Sequence, residues 1–174
     1  MKLKVPFFFS GKFLKDNRGY LHKFTDKKIL KELKFKIIET QVSQYKKNVF
    51  RGIYMQLGNF GEAKLIKLLK GDLTWFAVDL RRRSDTFKKI YKYKLSKKKI
   101  LFTPRGFAHG SFAHADSEVL IIADNQYNNK HSIGINYKDK DFYPKIKKII
   151  KINNPIISNW HKSFRYFDDI KNKI

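Results

Sequence analysis

Four short blocks, in chain order, gather most of the side chains able to grip anions or move protons. The first is Asp16-Asn17-Arg18-Gly19-Tyr20-Leu21-His22-Lys23. The second is Arg51-Gly52-Ile53-Tyr54-Met55-Gln56, followed closely by Glu62-Ala63-Lys64-Leu65. The third joins Ala77-Val78-Asp79-Leu80-Arg81 to Ser84-Asp85-Thr86-Phe87, and the fourth is Pro104-Arg105-Gly106-Phe107-Ala108-His109-Gly110 with Tyr127-Asn128 downstream. Taken singly, each residue has an ordinary explanation. Lys64 is one of very many lysines, Tyr127 fits a packing aromatic, His109 fits a hydrogen-bonded core histidine, and Asp79 fits an ion-pair partner at a strand end. Some chemistries are excluded by residue type. The chain has no cysteine, which removes disulfides, iron–sulfur clusters and thiolate nucleophiles. Its five histidines (His22, His109, His114, His131 and His161) contain no His-x-His pair. His109 and His114 are five apart, a spacing that puts them on opposite faces of a strand, so a metal site is not expected.

In order and spacing, the four blocks resemble the dTDP-4-dehydrorhamnose 3,5-epimerase family from about residue 10 to about residue 145. The resemblance implies a cupin homodimer that works without metal or cofactor on a nucleotide-diphosphate sugar with a 4-keto-6-deoxy ring, in deoxysugar and surface-polysaccharide synthesis. Such a reaction dictates its own side chains. The C4 ketone acidifies the protons on C3 and C5, so a base can remove one and leave an enolate. A donor or cation must hold the charge that develops on the C4 oxygen, and an acid across the ring must return a proton. Carried over by position, Lys64 lies near the enolate oxygen and Tyr127 matches the opposite-face acid. His109 and Asp79 match a pair lining the pocket, and Gln41 matches a polar substrate contact. Arg18 and Arg51 would bind the charged groups of the substrate, because a planar guanidinium grips phosphate oxygens in pairs. Gln56 and Glu62 fall among the substrate-binding positions.

The pattern breaks at its centre. Where the family has a catalytic histidine this chain has Tyr54, and His161, in Ser158-Asn159-Trp160-His161, falls where its orienting aspartate would be. Lys23, Leu21, Ser43, Tyr45 and Glu62 are further departures. A neutral tyrosine, with an unperturbed pKa of about 10, is a poor base. It works only where a neighbour accepts its proton or a cation lowers its pKa. His161 offers the first and Lys64 the second, so a Tyr54–His161 pair is the expected replacement for the histidine–aspartate dyad. The alternative is a cupin that binds nucleotide sugars without turnover.

The elements that must carry these residues read as strands. Aromatics make up 16% of the 174 residues, with 16 Phe and 9 Tyr, and aromatic residues favour strands. Strands are expected over 35–42, 63–69, 73–80, 89–95, 100–103, 111–114, 118–123 and 133–137, with Lys70-Gly71-Asp72 read as a hairpin connection. Asp16–Gly19 reads as a turn. Asp26 caps a short helix through Ile29, Leu30 and Leu33, and the stretch from Pro155 to Ile174 reads as a loop and a short helix covering a barrel. This predicts an all-β cupin or jelly-roll barrel with short flanking helices, one domain over 1–174.

The net charge of +24 comes from lysines spread along the whole chain, with no RNP motif, zinc finger or one-sided basic helix, so nucleic acid is not the expected partner. The basic start and the short run Val5–Phe9, interrupted by Pro6, are too brief for a signal peptide, and no stretch is long enough to span a bilayer. A cytoplasmic protein without membrane insertion is expected.

Overall fold

A computed structural model describes residues 5–174; the basic start at 1–4 lies outside the described residues. After β1 (Phe7–Phe9) come β2 (Lys12–Asp16) and β3 (Gly19–Lys23), a hairpin whose turn holds Gly19 at φ 133°. Helix α1 (Lys27–Leu33) follows, its first turn closed by Asp26 Oδ1 accepting from Ile29 N at 2.8 Å. Lys34 ends it in the left-handed region at φ 51°. The chain then runs through β4 (Glu39–Tyr45), β5 (Phe50–Gln56), β6 (Lys64–Lys70), β7 (Leu73–Asp79), β8 (Ile90–Lys94), β9 (Ile100–Thr103), β10 (Phe107–Ala113), β11 (Ser117–Ala123) and β12 (Ser132–Gly134). Three helices finish it: α2 (Tyr143–Ile150), α3 (Asn159–Lys162) and α4 (Phe167–Ile170).

Ten of the strands form two facing five-stranded sheets, in the orders β1-β9-β6-β11-β4 and β12-β5-β10-β7-β8; every pairing is antiparallel. This is the expected all-β jelly roll. The hairpin expectation at Lys70-Gly71-Asp72 is corrected. β6 pairs with β9 and β11, and β7 pairs with β10 and β8, so the segment carries the chain from one sheet to the other. Local turn residues look the same in both cases, because only long-range pairing tells a hairpin from a crossover. The strand expected from Phe35 starts at Glu39, since Phe35 N is still hydrogen-bonded to Leu30 O as the helix closes.

Alternation distributes the core. Between the sheets lie Tyr45, Ile66, Leu68, Leu73, Trp75, Leu101, Val119 and Ile121. Outside the second sheet, Phe50, Ile53, Met55, Phe76 and Val78 pack against Phe142, just before α2, and against Ile146, Ile150, Phe167 and Ile170 of α2 and α4. Ile53 and Met55 face outward to the helices, so Tyr54 between them faces the barrel. On β6, Ile66 and Leu68 face inward while Leu65 packs outside, which turns Lys64 inward as well. Helix α2 has no counterpart among the expected elements; its pattern, buried only at Ile146 and Ile150, is diluted by lysines.

Candidate active site

Tyr54, Lys64, His109 and His161 come together at one end of the barrel. Tyr54 and His109 are register partners on β5 and β10, and Lys64 reaches from the opposite sheet to place its Nζ 5.4 Å from the centre of the Tyr54 ring. Lys64 is 3% exposed and is paired with Glu62, itself 7% exposed, at 2.8 Å. Burial alone would lower the Lys64 pKa, but its electrostatic interactions with Tyr54 and with the Glu62 carboxylate outweigh it and hold the ammonium above its usual value. Lys64 therefore stays protonated at neutral pH. It is a fixed cation inside a water-poor barrel, where an electrostatic contact counts for most.

His161 is positioned by its own helix cap. Ser158 Oγ accepts from His161 N at 3.3 Å and lies 2.7 Å from His161 Nδ1. The tail carrying α3 is stitched to the start of β5 by Phe50 N donating to Ile156 O and Ile156 N donating to Asn48 O, both 2.9 Å. The His161 and Tyr54 rings thereby stand 6.1 Å apart, tilted at 59°, with Trp160 5.6 Å from Tyr54 on the outer side. Their contact is ring against ring, with His161 Nε2 buried and free of any hydrogen bond. Burial, and then the charge of Arg51, bring the His161 pKa down to about 4, so its imidazole is neutral at pH 7.

Arg51 lies deeper. Its Nη1 donates to Ser43 Oγ, its Nη2 donates to Gln44 O at 2.8 Å, and its guanidinium lies 4.2 Å over the Tyr45 ring. Ser43 and Tyr45, two of the departures read in the sequence, are thus what Arg51 rests on. Five N–H groups leave it further donors for a ligand.

Other expected site residues lie apart from this cluster. Asp79 is fully buried at the end of β7, but its carboxylate accepts from Arg81 Nε at 2.9 Å, Ser84 Oγ at 2.6 Å and Thr86 Oγ1 at 2.6 Å. Burial would raise its pKa, yet these hydrogen bonds bring it to about 2. The expected Asp79–His109 pair is thus corrected: Asp79 ties down the 81–86 loop, and the side chain hydrogen-bonded to His109 is Trp75, whose Nε1 donates to Nδ1 at 3.2 Å. No charge or motif marks Trp75 in the sequence; only its register two places along β7 from Ala77, the partner of His109, could have found it.

Gln56 is 2% exposed and its amide embraces the Asn128 backbone, accepting from N and donating to O at 2.7 Å each, an orientation assigned from that network. It fastens the loop that carries Tyr127. Tyr127 is 42% exposed at the rim, its hydroxyl donating to Asn129 Oδ1 at 3.2 Å and its N donating to Glu39 Oε2 at 3.0 Å. Gln41 is exposed on β4, on the same face as Ser43 and Tyr45. Arg18 sits at the tip of the β2–β3 hairpin, ion-paired to Asp16 at 2.7 Å, away from the cluster. Among the described residues no group of three or more His, Asp or Glu side chains could hold a metal ion, and no helix is long and apolar enough to cross a membrane.

Known proteins share this architecture. The family model described as dTDP-4-dehydrorhamnose 3,5-epimerase matches residues 1–169. The chain is similar to the dTDP-4-dehydrorhamnose 3,5-epimerase of Shigella flexneri, with 30% identity over 167 residues, 91% of this chain and 90% of that protein. Among solved structures, the dTDP-4-dehydrorhamnose 3,5-epimerase of Elizabethkingia anophelis superposes with a TM-score of 0.85 at 29% identity, covering 97% of this chain and 94% of that one. The enzyme of the same name from Bacillus anthracis, solved with TDP and PPi bound, gives 0.83 at 26% identity, covering 92% and 93%.

Proposed function

Because the chain belongs to the dTDP-4-dehydrorhamnose 3,5-epimerase family, we propose that it epimerises a nucleotide-linked 4-keto-6-deoxy sugar at C3, C5 or both, by removing and returning a proton beside the C4 ketone. The observation that carries this reading is Lys64, a buried ammonium kept charged beside Tyr54 and Glu62. A cation fixed before the substrate arrives needs no reorganisation as charge develops on the C4 oxygen, and so lowers the barrier to the enolate. The nucleotide end is read as held by arginine, Arg51 and Arg18, and the protein as a homodimer. TDP bound in the Bacillus anthracis relative supports a nucleotide diphosphate as that end. The chain is expected in the cytoplasm, where activated sugars are made.

Tyr54 takes the proton in this scheme. Lys64 Nζ lies 5.4 Å from the centre of its ring, and neutral His161, its ring 6.1 Å away and its Nε2 unpartnered, is the group to which the phenolic proton would pass as the two rings approach. Tyr127, swung in from the rim, returns a proton to the other face. The test is product formation from a dTDP-4-keto-6-deoxy sugar by the wild type and by His161→Phe. The variant should lose at least about 10²-fold in kcat, the low end for losing a proton-transfer partner. Unchanged turnover and affinity in His161→Phe would remove the pair from the mechanism. Nucleotide-dependent thermal stabilisation without product in the wild type would instead identify a binding protein.

A further inference from the structure

The bond between Trp75 and His109 has a direction that chemistry alone settles. An indole nitrogen carries a proton and has no lone pair to offer, so Trp75 Nε1 can only donate. At 3.2 Å, His109 Nδ1 must therefore be the acceptor, and a neutral imidazole accepting at Nδ1 carries its proton on Nε2. That Nε2 is buried and without a hydrogen-bond partner, on a residue only 2% exposed. A carboxylate in the place of Trp75 would do the reverse: it would accept a hydrogen bond from Nδ1–H, leave Nε2 basic and favour the imidazolium. His109 is the register partner of Tyr54, whose ring lies beneath the Lys64 ammonium, so the unpaired N–H belongs to the same end of the barrel.

We infer that Trp75 is a positioning residue that locks His109 as the Nε2–H tautomer, making it a hydrogen-bond donor to the oxygen that gains charge beside Lys64 and unfitting it as the general base. This rests on the reading that the site forms an enolate. Burial and the nearby Lys64 charge act in the same direction, holding the imidazole well below its ordinary pKa and so neutral. Donation from a neutral imidazole suits the task, because its N–H is close in acidity to the enol it must stabilise, whereas a second cation beside Lys64 would be repelled.

The lock is read directly by long-range proton–nitrogen NMR of the whole uniformly labelled protein without substrate. The expected spectrum at pH 7 has a pyrrole-like Nε2 and a pyridine-like Nδ1 for His109, and Trp75→Phe should abolish that preference. An Nδ1–H tautomer or an imidazolium in the wild type would overturn the inference whatever the activity. The donor role is read by solvent exchange into a dTDP-4-keto-6-deoxy sugar. His109→Phe should lower the rate about 10²–10³-fold, as loss of one oxyanion donor does. His109→Gln, which keeps an N–H but no basic nitrogen, should recover at least tenfold over His109→Phe. Equal loss in folded Gln and Phe variants would make His109 a base and contradict the inference. An Nε2–H tautomer in a wild type that never exchanges substrate protons would refute the epimerase reading while confirming the lock.

Discussion

At the scale of single residues, the site is defined by which charges are kept and which are suppressed. Lys64 and Glu62 form a buried ion pair, and removing one partner strands the other. Lys64→Met should therefore cost about 3–5 kcal/mol of stability in urea unfolding and about 10²–10³-fold in turnover. The double variant Lys64→Met/Glu62→Leu should recover most of the stability and none of the turnover, which separates the structural part of the pair from the catalytic part. The histidines make a second claim. His161 has a folded pKa of about 4 against the ordinary histidine value of 6.5, so between those values the unfolded chain holds more protons. Its contribution to stability is thus full above about pH 6.5 and is lost as the pH falls toward 4. His109 is shifted in the same direction and adds to the loss. Urea midpoints measured from pH 7 to pH 4 should fall, and His161→Phe should flatten that fall.

At the scale of elements, the site depends on how closely β5 approaches β10. Gly52 has φ 105°, and a Cβ there would meet His109 O at 2.3 Å and Gly110 Cα at 2.5 Å. Neither backbone atom can step aside without moving Tyr54 or His109. Gly52→Ala should lower stability by about 1–3 kcal/mol and disturb activity beyond that loss, measurable as a fall in turnover at temperatures where the variant stays folded. Strands 64–70, 73–79, 100–103 and 117–123 were legible in the sequence because short apolar runs between turn residues have few other solutions. β12 was legible in position but not in extent, β1 went unread because it is only three residues long, and β2, β3 and β5 because Lys, Gly and Arg interrupt their patterns. Lys64, His109 and Tyr54 were legible through block spacing. Trp75, the fastening role of Gln56 and the anchoring role of Asp79 were not, because each depends on which strand lies opposite. Sequence order does not encode that directly.

At the scale of the whole molecule, two features stand out: a deep barrel site and a surface of strong positive charge. The formal charge is +24, distributed over both sheets and the tail, so like charges repel throughout the folded state. Raising salt from about 20 mM to about 300 mM shortens the screening length to below 10 Å and should raise the Tm; a flat or falling Tm would mean that local ion pairs dominate. The same charge favours an anionic ligand such as a nucleotide diphosphate. The central claim is that this barrel makes an enolate, with Lys64 holding its charge and Tyr54 moving the proton. Proton NMR of a dTDP-4-keto-6-deoxy sugar incubated with the protein in heavy water tests it most directly. The account predicts that the C3 or C5 proton signal disappears with the wild type and persists with Lys64→Met. A wild-type protein that binds the nucleotide sugar yet leaves both signals intact would contradict it.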